Sequence, residues 1–175
     1  SENNFIYYVL GKKERHTLAD YVTGVEETST NKIVLYSSAQ TGKTTELKQL
    51  CWELQQSGLY LPVSFEVRTN TKLKRDDLPE SQYVDGREVV LVIDALDEVN
   101  GQKYEDLLEE IGGYAYEHPE MKMVLSCRSN FRRERQLELF TELFLEELSI
   151  DDARDYAAKR EVNSDRFMRS VFANQ

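Results

Sequence analysis

The chain has 175 residues, 40% of them hydrophobic and 31% charged, an ordinary balance for one compact domain with its own core. Acidic residues outnumber basic ones, 32 to 22, and the formal charge of -10 argues against general nucleic-acid binding or attachment to an anionic membrane surface. A local basic patch remains compatible with a polyanionic ligand.

In chain order, residues 1–30 read as a lead-in segment. "ENNFIYYVLG" carries a short apolar run with strand character, "RHTLADYV" has the pattern of a short helix, and "EETSTN" is a polar linker. An alternation of strands and helices then follows over 31–148. "KIVLY" reads as a buried strand. "KTTELKQLCWELQQSG" reads as a helix with Leu47, Leu50, Cys51 and Leu54 on one face and Gly58 at its end. "LYLPVSFEV" is a second strand with Pro62 near its start. Residues 68–87 are polar and irregular, with a short helix expected near Asp76–Ser81. "EVVLVID" is apolar at nearly every position, as in a strand covered on both faces. "QKYEDLLEEIGGYAYEH" is a helix with Tyr104, Leu107, Leu108, Ile111 and Ala115 on one side, weakened at Gly112-Gly113. "MKMVLSC" is a fourth strand, "RSNFRRERQ" a basic connection and "LFTELFLEEL" a fifth strand. Residues 149–175 read as the start of a helical region, opened by Ser149 with Asp152 as its capping-box partner and continued by a helix from about Ser164 using Phe167, Val171 and Phe172. Strands alternating with helices imply a parallel sheet with helices on both faces.

Cys51 and Cys127 lie in no CxxC or Cys/His cluster, and His16 and His118 are far apart, so no zinc site is expected. Both cysteines read as small buried hydrophobes in a reducing compartment. With no signal peptide and no apolar run of transmembrane length, the expected location is cytoplasmic.

"IVLYSSAQTGKTTELKQL" joins a buried strand to a helix through a polar turn. Such a turn aims backbone N–H groups inward as an anion nest, and the helix adds its positive N-terminal end. Gly42 permits close approach of a phosphate, Lys43 reaches the β- and γ-phosphates, Thr44 offers a hydroxyl to Mg²⁺, and Thr45 faces the α-phosphate side. The expected pattern has glycine five places before Gly42. Here Ser37 stands there, followed by Ser38, Ala39, Gln40 and Thr41. A serine at that place constrains the backbone modestly and removes no charged group. Candidate nucleotide contacts are therefore Ala39, Gln40, Thr41, Gly42, Lys43, Thr44 and Thr45.

"VVLVIDALDEV" supplies the complementary half. Asp94 ends an apolar strand, where a carboxylate holds Mg²⁺ opposite the loop threonine, and Asp97 and Glu98 follow within four residues. Either of these acids can orient the water that attacks the γ-phosphate. Glu98 is favoured for that role and Asp97 as a partner of metal-bound water, without a firm choice between them. No Asn-Lys-x-Asp motif is present, which favours ATP over GTP by elimination.

"IDALDE" resembles the extended acidic motif of STAND-class signalling NTPases, and of the NACHT group in particular. "MVLSCRSNF" resembles that group's next motif, and "FLEELSIDDARDYA" the segment after it. The resemblance spans about residues 30–160 and is specific in its motifs, weak between them. It implies a three-layer α/β P-loop NTPase core, with a five-stranded, mainly parallel sheet in the order 5-1-4-3-2. It also implies that Arg128 senses the γ-phosphate, that ATP, ADP and Mg²⁺ are the cofactors, and that the protein is a regulatory ATPase. In such a protein ADP holds a resting form, and a trigger ligand and ATP permit assembly into a homo-oligomer, in antiviral defence, innate immunity or programmed death. Ser37 departs from the family pattern. So does the absence of an effector module before the core and of helical, winged-helix and sensor parts after it, so that the chain reads as an excised NTPase core. Competing readings are a P-loop small-molecule kinase with residues 128–135 as its lid, a catalytically silent nucleotide-binding scaffold and, disfavoured by the acidic balance, a nucleic-acid motor.

Overall fold

The computed structural model describes residues 7–9, 12–14, 17–24, 30–38, 42–67, 73–94, 99, 102–132 and 137–145. The strands expected from apolar runs form as β3 (Lys32–Ser37), β4 (Tyr60–Glu66), β6 (Arg87–Asp94), β7 (Lys122–Arg128) and β8 (Thr141–Leu145). The two long helices are α2 (Lys43–Ser57) and α3 (Gln102–Glu117). Three short strands add to these: β1 (Tyr7–Val9), β2 (Lys12–Glu14) and β5 (Tyr83–Val84). A six-residue helix, α1 (Leu18–Thr23), starts at a Thr17–Asp20 capping box.

Among the described residues eight strands join one sheet, in the order β2-β1-β8-β3-β7-β6-β4 with β5 beside β6. The run β8-β3-β7-β6-β4 is parallel throughout. It is the expected order 5-1-4-3-2. The expected count of five is corrected by the antiparallel additions: β1 and β2 at one edge, and β5 against the start of β6, with β4 remaining the other edge. Strand β2, "KKE", carries no apolar signal. Strand β5 is created by the turn that follows it, where Asp85 (φ 49°) and Gly86 (φ 76°) both take the left-handed conformation that a two-residue hairpin needs.

Successive side chains of the central strands point to opposite faces of the sheet and fill two cores. On one face Val34, Tyr36, Val89, Leu91, Ile93, Met123, Leu125 and Cys127 pack with the buried side of α3. On the other Ile33, Leu35, Val90, Val92, Val124, Leu143 and Leu145 pack with α1 and with Leu47, Leu50 and Leu54 of α2. This two-sided cover explains why β3, β6 and β7 read as unbroken apolar runs. Cys127 is buried as expected, and Cys51 is partly buried against the second core.

Helix α3 runs unbroken through Gly112-Gly113. The packing of Ile111, Tyr114 and Ala115 outweighs a propensity cost of about 1 kcal/mol per glycine. The Tyr114 hydroxyl donates to the Pro79 carbonyl at 2.7 Å, tying α3 to the segment before β5. The helix expected near Asp76–Ser81 is a single 3-10 turn at Arg75–Asp77. Its short polar side chains close local hydrogen bonds, Lys74 N–H to Asp77 Oδ2 among them, in place of a longer ladder. The helices expected from Ser149 onward lie outside the described residues.

At the N-terminal end of the sheet, Lys32 is 3% exposed. Its ammonium donates to the carbonyls of His118, Pro119 and Met121 at 3.0, 2.7 and 3.0 Å. Burial lowers its pKa, opposed in part by nearby Glu120.

Tyr36 and Tyr114 are buried, and desolvation pushes the pKa of each from about 10 up to about 12. The unfolded chain therefore loses these protons first, and folding stability falls as pH rises from about 10 to about 12. Thermal unfolding followed by circular dichroism should show the midpoint dropping across that window. The Tyr36→Phe/Tyr114→Phe double variant should show a flatter drop, and an identical slope in both proteins would refute the assignment.

Candidate functional site

Strands β3, β7 and β6 end side by side at the C-terminal edge of the sheet, and the candidate residues hang from that edge. The polar turn after β3 leads directly into α2. Gly42 occupies the N-cap of α2 at φ 91°, a left-handed conformation that a residue with a Cβ adopts only under strain. Gly42 itself has no side chain with which to cap this helix end. The first intrahelical bond closes only at Glu46 N–H, which donates to the Gly42 carbonyl at 2.9 Å. Helix N-termini of this kind, entered directly from a strand, are common anion sites. Lys43, Thr44 and Thr45 occupy that turn.

Ser37, the residue in place of the first glycine, is the last residue of β3 and pairs in register with Arg128. It is 2% exposed, and its hydroxyl donates to the Ser38 carbonyl at 3.1 Å. Among the described residues, Asp85 is the only non-glycine with positive φ, so the Ser37 position makes no use of glycine's conformational freedom. The substitution costs the loop little at this point.

Asp94 is 8% exposed at the end of β6. Each of its carboxylate oxygens accepts a hydroxyl hydrogen bond from a different element. Thr44 Oγ1 donates to Oδ2 at 2.9 Å. Ser126 Oγ, from β7, donates to Oδ1. The β6–β7 register, with Ile93 opposite Leu125, sets Ser126 beside Asp94. Thr44 and Asp94 are fifty positions apart in the chain and meet here as the pattern requires.

Arg128 ends β7 at an exposed position opposite Ser37, where the chain leaves β3 toward α2. Ala39, Gln40, Thr41, Asp97 and Glu98 lie outside the described residues. Val99, just past the acidic pair, is buried in the α3-side core. Sequence reasoning assigned no role to Ser126. The available signal was a hydroxyl residue two places before Arg128 in an otherwise apolar strand. Among the described residues no cluster of three or more His, Cys, Asp or Glu side chains is poised for a metal.

No family model matches the chain, and no curated protein matches it. Among solved structures, the Thermotoga maritima RuvB Holliday junction branch migration motor is similar, with a TM-score of 0.47 and 18% identity over 80% of this chain and 48% of that one. The chain spans about half the length of that motor. The class of the fold rests on its own topology: a parallel β8-β3-β7-β6-β4 sheet, helices on both faces, and a strand–loop–helix unit at β3–α2, as in P-loop NTPases.

Proposed function

We propose that this chain is the nucleotide-binding core of a regulatory ATPase of the NACHT-like kind. The observation that carries the nucleotide site is the meeting of Thr44 and Asp94 at a helix N-terminus that begins with Gly42 and Lys43. The regulatory part of the reading rests on the resemblance of "IDALDE" and "MVLSCRSNF", and on Arg128 standing beside the loop strand.

In this reading the first-turn N–H groups of α2 and the Lys43 ammonium bind the phosphates. Thr44 and Asp94 are the residues that would hold Mg²⁺. Their donor set fits: both offer hard oxygens, and a single carboxylate suits a cation that keeps several waters and takes the rest of its ligands from phosphate. Such a cation, when bound, neutralises charge on the β- and γ-phosphates. Glu98 orients and polarises the attacking water and Asp97 partners metal-bound water, with the two assignments open to exchange. Arg128 supplies a guanidinium for the charge unique to the γ-phosphate. Exchange of ADP for ATP, assembly into a homo-oligomer, a triggering ligand and a role in defence or cell-death signalling are carried over from the same resemblance. Turnover is expected to be slow. No described helix is long and apolar enough to cross a membrane.

Lys43→Ala should abolish ATP binding by calorimetry while circular dichroism shows the fold intact; unchanged affinity would sink the phosphate-loop assignment. Asp94→Asn should weaken binding only when Mg²⁺ is present, whereas Glu98→Gln should leave binding intact and slow phosphate release, as measured in a coupled assay with no added acceptor. Equal loss of affinity in both variants would count against that division of roles. Arg128→Ala should narrow the ratio of ATP to ADP affinity, and an unaltered ratio would remove Arg128 from the γ-phosphate.

A further inference from the structure

We propose that Ser126 is a positioning residue for the metal-binding carboxylate, fixing the plane of Asp94 from the side opposite Thr44. The inference rests on the site reading above and adds to it a residue outside the loop and the acidic strand end. Ser126 is 0% exposed, between Leu125 and Cys127 in a strand covered on both faces. A hydroxyl in such a place costs free energy unless it is hydrogen-bonded, and alanine or cysteine would fill a similar volume without that demand. Its bond is to Asp94 Oδ1.

The geometry explains what that bond does. A carboxylate held through one oxygen can rotate about its Cβ–Cγ bond. Asp94 is held through both, by donors from α2 and from β7. The two anchors are not equivalent. Thr44 lies on the helix whose N-terminus faces the ligand, and its hydroxyl keeps lone pairs for a cation while it donates to Oδ2. Ser126 lies on the sheet, and its position is set by the β6–β7 register. Its side chain is fully enclosed, so it holds Asp94 whether or not the loop side of the site rearranges. Partners of this kind fix the orientation of a metal-binding carboxylate and raise its affinity for the ion.

The test is a fluorescent ATP analogue titrated into the 175-residue chain across a series of Mg²⁺ concentrations and in EDTA. Ser126→Ala should raise the half-saturating Mg²⁺ concentration by about 10-fold or more. It should leave binding in EDTA unchanged, and Ser126→Thr, which keeps the hydroxyl, should recover much of the loss. Ser126→Cys, a weak donor of nearly the same size, should behave like Ser126→Ala. Equal weakening with and without Mg²⁺ would make Ser126 a packing residue only and overturn the proposal, as would an unshifted Mg²⁺ midpoint. Failure of the wild-type chain to bind the analogue under any condition would instead overturn the nucleotide-site reading, and this inference with it.

Discussion

A carboxylate at the end of a buried strand must be compensated, and the candidate site follows from how Asp94 is compensated. An unpaired buried carboxylate costs several kcal/mol or changes its protonation. Here two hydroxyls meet the demand, and each imposes a condition on the fold. Thr44 reaches Asp94 only if α2 starts at Gly42, directly after the turn from β3. Ser126 reaches it only if β7 lies next to β6 in the observed register. The loop, the acidic strand end and the strand between them are thus tied to one side chain.

The strand order gives that arrangement its shape. Strand β7 separates β3 from β6, and at an interstrand spacing of about 4.8 Å the loop strand and the acidic strand lie about 10 Å apart. Crevices of this kind form at the C-terminal edge of open parallel sheets where the order reverses, because neighbouring connections leave toward opposite faces. Here α2 packs on one face and α3 on the other. The inserted strand contributes in two ways at its end: Ser126 points to Asp94, and Arg128, two residues on, pairs with Ser37.

Sequence and structure agree where a signal was carried by several residues at once. Each of the five parallel strands carries an apolar run, fully buried in β3, β6 and β7 and only partly covered in β4 and β8, and their order came with the NACHT-like resemblance of the acidic and arginine motifs. The face of α3 was legible from its period in spite of the two glycines, since buried side chains outweigh local propensity. Elements fixed by one or two residues were missed. Strand β2 is entirely charged and owes its place to pairing with β1. Strand β5 follows from the Asp85-Gly86 turn, a hairpin signal present in the sequence and overlooked within a polar stretch. Ser126 was passed over because a lone serine in an apolar strand looks like a small core residue until its neighbour across the sheet is known. The missing glycine at Ser37 is a different case. The sequence shows a departure from a pattern, and the structure shows that this residue is still part of β3 and paired with β7, while the conformational demand falls on Gly42.

The opposite end of the sheet bears on the same register. Asn31 donates from its side chain to the Pro119 carbonyl at 2.7 Å, and Met123 N–H donates to the Asn31 carbonyl at 2.7 Å. The Lys32 ammonium closes on three carbonyls of the same α3–β7 connection. These bonds are geometric constraints as well as stabilising contacts, because they require Lys32 to stand opposite Met123. A slip of one residue would break them and turn every β3 side chain to the other core. With the start of β3 fixed against β7, the pairing runs without a bulge to Ser37 opposite Arg128. The charged, carbonyl-lined end therefore sets the alignment, and the hydroxyl-lined end uses it. The position of Arg128 relative to the end of β3 and the turn into α2 is in this sense decided at Lys32, at the far end of the strand.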